Sequence, residues 1–130
     1  MSAVKTVEDL EIYQMAVDLA EEIWMIVIKW DYFAKDTIGK QLVRAADSVA
    51  ANISEGYGRY HYKENRQFSY FSRGSLYEVK TWLLKAKNRN LISEGKYKKL
   101  FETVIILLKK LNNYINSIGK TKSMTIDPDQ

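Results

Sequence analysis

The chain has 130 residues, 46% hydrophobic and 28% charged, with 20 Lys and Arg against 16 Asp and Glu for a net charge of +4. That is length enough for one domain around one core, and the composition of a globular rather than a disordered chain. The absence of cysteine excludes a disulfide, a thiolate metal site and a cysteine nucleophile.

The one proline, Pro128, lies near the end, and six glycines leave little material for sheet turns, so the expected fold is all-α. The longest apolar run near the start, Ile23 to Ile28, is closed by Lys29 and is too short to span a bilayer. No basic start followed by an apolar stretch marks a signal peptide, and the expected setting is a reducing cytoplasm. The charge is unevenly spread. Residues 1–56 carry 5 Lys/Arg and 10 Asp/Glu, net −5, while residues 57–130 carry 15 and 6, net +9. The two halves suit each other within one bundle or between subunits, and the second half also suits a polyanion.

Residues 1–6 read as a frayed start. A first helix is expected from about Val7 to Trp30, with acidic residues in its first turn and a core stripe of Leu10, Tyr13, Val17, Ala20, Trp24 and Val27. Trp24 to Ile28 is apolar nearly all round, which suggests a wide core contact or a second buried face at an oligomer interface. Residues 31–35 read as a connection, with Asp36 as the N-cap of the second helix. That helix carries a clean stripe, Ile38, Leu42, Ala45, Val49 and Ile53, flanked by the small residues Ala46, Ser48, Ala50 and Ala51. It is expected to stop at Gly56 through a left-handed residue. The third helix is expected over Lys63 to Ala86, with a core stripe of Phe68, Phe71, Ser75, Val79, Trp82 and Ala86. Gly74, in its middle, is expected to allow close contact with the second helix. Arg44, Ser48, Asn52 and Glu78 are expected to form a structural polar network between the two, fixing register more than adding stability.

Ser93 is expected to cap the fourth helix, Glu94 to Ile118, with Ile92 and Tyr97 as a hydrophobic staple and Gly119 as the stop. Its stripe is Tyr97, Leu100, Val104, Leu107 or Leu108, Leu111, Ile115 and Ile118, and residues 120–130 read as a disordered tail. Helices of about 20 to 25 residues joined by short turns give an antiparallel up-down-up-down four-helix bundle over residues 7–119.

Catalytic constellations are missing. His61 is the only histidine, stands in a turn and has no Cys to join it, so it reads as a surface residue with no metal set around it. Gly56-Tyr57-Gly58-Arg59 follows a helix rather than a strand and reads as a helix stop, not a phosphate loop. Glu55 and Glu78 suit ion-pair or capping roles better than paired catalytic carboxylates. Neither an enzyme nor a cofactor is expected. The functional signal lies on the third helix, where Arg66, Arg73, Lys80 and Lys87 recur every seven residues, with Arg59 one interval before them. Tyr70, Tyr77 and Leu84 share that side. Basic groups neutralise phosphates and exposed tyrosines stack on bases, so the row suits RNA or DNA. It equally suits a solvated face, or a subunit interface in which these cations meet first-helix acids on the next protomer.

The stretch QLVRAADSVAANISEGYGR (41–59), followed by FSYFSRGSLYEVKTWLLKA (68–86), resembles the 23S ribosomal RNA intervening-sequence protein family, and DLEIYQMAVDLAEEIW (9–24) matches that family's first helix. The pattern falls on Gln41, Leu42, Arg44, Ala45, Ala46, Ser48, Asn52, Ile53, Glu55, Gly56, Gly58, Arg59, Gly74, Ser75, Leu76 and Glu78. Two departures are visible. Phe33-Ala34 stands where the family often has Phe-Pro, and Ala50 and Ala51 stand near a frequent proline. The resemblance implies a bacterial four-helix bundle with suspected RNA association. The family is also similar to the accessory protein of diversity-generating retroelements, a basic pentameric barrel that works with a reverse transcriptase and nucleic acid. By that likeness the expected partners are further copies of the chain, in a ring-shaped homopentamer, with RNA or DNA and a reverse transcriptase as candidates and no membrane.

Overall fold

Two side chains cap helix starts in the computed structural model, which describes residues 6–120. Ser93 accepts a hydrogen bond from the Lys96 amide at 3.1 Å, as expected, and Asp31 accepts one from the Ala34 amide at 3.0 Å. Each satisfies a donor that the first helical turn leaves without a partner. The Asp31 cap overturns the assignment to Asp36, which lies inside the helix and pairs with Lys40 at 3.1 Å. Most of the expected connection over 31–35 is therefore already helical, from Tyr32 on.

After a short 3-10 turn at Val7–Asp9, helix α1 spans Glu11–Val27. A short helix α2 (Tyr32–Ala34), a π-helical turn (Lys35–Gly39) and α3 (Lys40–Tyr57) run end to end as one rod. Helix α4 spans Tyr62–Asn88 and α5 spans Glu94–Ser117. The described residues contain no strand, and no helix among them is long and apolar enough to cross a membrane. The frayed start and the tail expected from the sequence fall outside the described residues, apart from Thr6 and Lys120. Helix α1 packs on α3, α3 on α4, α4 on α5, and α5 closes on α1. The result is a four-helix bundle around one cluster of buried side chains.

The α3 stripe is buried as its spacing predicts: Ile38, Leu42, Ala45, Val49 and Ile53 are all enclosed. So is the α5 stripe from Leu100 to Ile118, with Leu107 and Leu108 both inside and Tyr97 only partly buried. Helix α1 is rotated from the expected face. It buries Ile12, Ala16, Leu19, Ala20, Ile23 and Val27, leaving Tyr13 half-buried and Trp24 49% exposed. Its end differs too: the chain leaves the helix at Ile28, and Trp30 turns back into the core.

Helix α4 departs furthest from expectation. Phe71 is 49% exposed and Trp82 only partly buried, while Ser69, Ser72 and Ser75 face the core beside Leu76, Val79, Leu83 and Ala86. Small side chains are required there because α3 comes close. A Cβ on Gly56 would lie 2.7 Å from Asn65 Oδ1, 3.0 Å from the Asn65 carbonyl oxygen and 3.0 Å from Phe68 Cβ. Gly56 therefore serves close approach and not a left-handed stop, and the α3 C-cap, Gly58, has an ordinary right-handed φ of −79°. The left-handed stop does occur at Gly119, φ 80°, after α5. Gly74 is the reverse case. A Cβ there would meet nothing within 4 Å, so the close contact expected of it does not form.

Candidate nucleic-acid interface

The heptad row on α4 is not a free outer face, because it runs along the seam between α4 and α5. Its cations are held from the α5 side one after another. Arg66 Nη1 donates to the Ile118 carbonyl at 3.3 Å, placing positive charge at the C-terminal end of α5, where the helix dipole favours it. Arg73 Nη1 donates to Asn112 Oδ1 at 2.8 Å. The Lys80 ammonium lies 5.7 Å from the Phe101 ring centre, and the Lys87 ammonium 5.0 Å from that of Tyr97. All four side chains are half-buried along their stems, with the charged ends supported at the seam.

The tyrosines stand beside this line and face water, Tyr70 at 44% and Tyr77 at 50% exposure. Each has a cation over its ring: the Arg73 guanidinium 4.8 Å from the Tyr70 centre, and the Lys80 ammonium 5.9 Å from the Tyr77 centre. Leu84 continues the exposed row. Exposed Lys98 and Lys109 add charge from α5. The seam is therefore a strip of cations fixed by hydrogen bonds and ring contacts, with open aromatic surface next to them. Such a strip offers phosphate neutralisation and base stacking together.

Arg59 stands apart from the row. It pairs with Glu55 at 2.8 Å and lies over Phe68, 4.8 Å from the ring centre, so its charge is largely matched within the turn. The sequence did not indicate the α5 partners Asn112, Phe101 and the Ile118 carbonyl. A signal for them exists: Tyr97, Phe101, Ile105 and Asn112 follow one another at helical spacing on one flank of α5.

The expected polar network forms only in part. Ser48 Oγ and Ser75 Oγ share a hydrogen bond at 2.9 Å, and Asn52 Nδ2 donates to Ser48 Oγ and to the Ser48 carbonyl, both at 2.9 Å. Ser72 Oγ extends the set by donating to the Val49 carbonyl at 2.8 Å. Arg44 and Glu78 are both exposed, and among the described residues no ion pair joins them. Arg44 instead lines the groove between α1 and α3, beside Trp24 and Val43. At the end of the bundle where α4 begins, Asn65 Nδ2 donates to the Tyr114 hydroxyl at 3.2 Å. Burial raises the pKa of Tyr114 above the ordinary tyrosine value, against a smaller lowering by the Asn65 hydrogen bond. His61 is half-buried just before α4, edge-on to Tyr60 with ring centres 4.8 Å apart, rather than a freely exposed surface residue.

A second surface runs between α1 and α3. Trp24, Val27, Ile28 and Val43 form an apolar groove whose rim carries Lys35, Lys40 and Arg44. Met25 beside it is 54% exposed. Exposed acids, Glu11, Asp18 and Glu21, lie on the same helix α1. The charge asymmetry of the sequence thus becomes an acidic α1 and a basic α4–α5 seam.

Among solved structures, the bundle is similar to a crystal structure of a protein of unknown function from the S23 ribosomal protein family of Bacteroides thetaiotaomicron VPI-5482. The TM-score is 0.72 at 18% identity, over 85% of this chain and 99% of that one. At that identity the likeness speaks for the fold. No curated protein sequence matches this one. The model of the family described as 23S rRNA-intervening sequence protein matches residues 8–113, and the chain belongs to that family.

Proposed function

We propose that this protein is a non-enzymatic, cytoplasmic nucleic-acid-binding bundle that works as a homo-oligomer. The observation that carries the reading is the α4–α5 seam. Arg66, Arg73, Lys80 and Lys87 recur at one interval, are each supported from α5, and have Tyr70 and Tyr77 exposed beside them. A solvated helix face would not hold its cations in this way, since free lysines and arginines lose side-chain entropy when fixed. RNA is the first polymer to test, given the family's name.

The test is binding of a labelled RNA across a salt titration. Four phosphate contacts on a single strand predict a slope of log affinity against log salt of roughly −3. An Arg66→Glu/Arg73→Glu/Lys80→Glu variant of unchanged mass should bind far more weakly. Equal binding by that variant would remove the seam from the interface.

The bundle is read as antiparallel, up-down-up-down. Support comes from partners across the seams: residues 66, 73, 80 and 87 of α4 meet 118, 112, 101 and 97 of α5, rising against falling numbers. Assembly into a ring, with five copies as the first choice, is supported by the exposed apolar side chains Trp24, Met25 and Ile28 on α1, away from the α4–α5 seam. A head-to-tail contact through that patch closes into a ring when the rotation between copies divides a full turn. Light scattering that gives a stable monomer at micromolar concentration would reject it. In the rival reading the seam pairs with an acidic protein surface, such as that of a reverse transcriptase, and no nucleic acid is touched.

A further inference from the structure

Gly74 is a glycine the fold does not need. It lies in the interior of α4, is exposed, and has open space where a Cβ would stand. A glycine in mid-helix weakens the helix relative to alanine, because its backbone loses the most freedom on folding. No close packing on the described surface offsets that weakening. Its neighbours on the outer side of α4 are Tyr70, four residues before, and Tyr77, three residues after.

The two rings are anchored seven residues apart, about 10.5 Å along the helix axis. Stacked nucleotides advance about 3.4 Å each, so one heptad matches about three of them. The pattern ring-x-x-cation occurs at Tyr70/Arg73 and at Tyr77/Lys80, and Leu84/Lys87 repeats it with an aliphatic side chain. In both tyrosine units a cation lies over the ring, and each tyrosine is about half exposed, which leaves aromatic surface for a flat partner. Between the rings the surface drops to the bare backbone of Gly74. A base lying over Gly74 meets an aromatic face while its phosphate meets the adjacent cation. A duplex keeps its base faces inside its own stack, and only an unpaired strand presents them.

Resting on the nucleic-acid reading of the seam, we propose that it takes single-stranded nucleic acid, with one base stacked per tyrosine at intervals of about three nucleotides and Gly74 as the gap that admits a base.

The experiment measures fluorescence anisotropy with three labelled probes: an oligouridine spanning α4, a matched RNA duplex, and an abasic oligomer of the same length and charge. The oligouridine is expected to bind best. Tyr77→Ala should weaken it by about 5- to 150-fold, the loss of one stacked base, and Tyr77→Phe should leave it unchanged. Gly74→Leu is the sharper variant, since it fills the gap while strengthening the helix; it should bind oligouridine more weakly with a melting temperature no lower than wild type. If the duplex and the abasic oligomer bind as tightly as oligouridine, or if Gly74→Leu keeps full affinity, the stacking proposal is overturned and the phosphate-binding reading stands. A Gly74→Leu protein with altered mass and unaltered affinity would assign Gly74 to a subunit contact and overturn it equally. Binding of none of the three probes would reject the underlying reading itself.

Discussion

Replacing glycine by alanine at two positions of this bundle should move stability in opposite directions. At Gly74 the new methyl enters open space, so the change keeps only the helix-propensity gain, about 1 kcal/mol at an exposed interior position. At Gly56 the same methyl would stand 3.0 Å from a backbone oxygen of Asn65 and 3.0 Å from Phe68 Cβ. Neither atom is the far end of a flexible side chain, so α3 and α4 must separate locally. Overpacking of this kind costs about 1–3 kcal/mol, and the backbone contact argues for the upper end. The propensity gain is at most about 1 kcal/mol because Gly56 lies in the last turn of α3. The net expectation is about 2 kcal/mol of destabilisation. The displaced Asn65 also carries the hydrogen bond to Tyr114, and its loss would add to the cost. Thermal melts followed by circular dichroism should show Gly74→Ala raising Tm by roughly 3–5 °C and Gly56→Ala lowering it by about twice that. Urea titrations should give the same order of midpoints. Two shifts of the same sign would refute the close approach of α4 to Gly56.

Three further outcomes follow from the same contacts. Ser72→Ala removes a fully buried donor to the Val49 carbonyl and should lower stability by about 1 kcal/mol in urea denaturation; an unchanged midpoint would mean that the bond adds nothing. Arg44→Met should shift the midpoint by less than about 0.5 kcal/mol, because Arg44 is exposed and has no ion pair with Glu78; a large loss would restore the network expected from the sequence. Tyr114 is neutral when protonated, and burial raises its folded-state pKa above the unfolded value. Its contribution is therefore complete below the ordinary tyrosine range and is lost as pH rises through the folded-state value. Alkaline unfolding of Tyr114→Phe, measured against wild type, should show a shallower fall of stability above that range, and parallel curves would contradict the assignment.

The parts of the bundle legible in the sequence are those where polarity leaves one choice. Along the rod that ends in α3 the other faces are polar or small except at Val43, so Ile38, Leu42, Ala45, Val49 and Ile53 were the stripe to point inward, and they do. Helix α5 is read almost as well, because its lysines mark the outside. Ser93 was recognisable as a cap because it directly precedes the helix pattern and has Ile92 and Tyr97 placed as a hydrophobic staple around it. The heptad row of cations was visible too, since it needs nothing but helical spacing.

Other features were decided by tertiary contacts, each for a local physical reason. Helix α1 carries apolar side chains on more than one face along its whole length, so hydrophobic periodicity does not select Ile12, Leu19 and Ile23 over Tyr13, Val17 and Trp24; the neighbours α3 and α5 make that selection. On α4, transfer energy favours burying Phe71 and Trp82, yet Ser69, Ser72 and Ser75 are enclosed instead. The reason is distance. Helix α3 lies within side-chain hydrogen-bond reach of α4 along this line, and the serine hydroxyls are satisfied by Val49, Ser48 and Asn65. Asp31 and Asp36 are equally good caps by composition. In the fold Asp31 has the extended backbone of a cap and accepts from the Ala34 amide, while Asp36 lies within helical backbone. The α4 cations were readable from spacing, but their anchorage to Asn112, Phe101, Tyr97 and the Ile118 carbonyl belongs to α5, far along the chain. A sequence determines which residues share a helix face; which neighbour that face meets, and how closely, is set only when the helices pack.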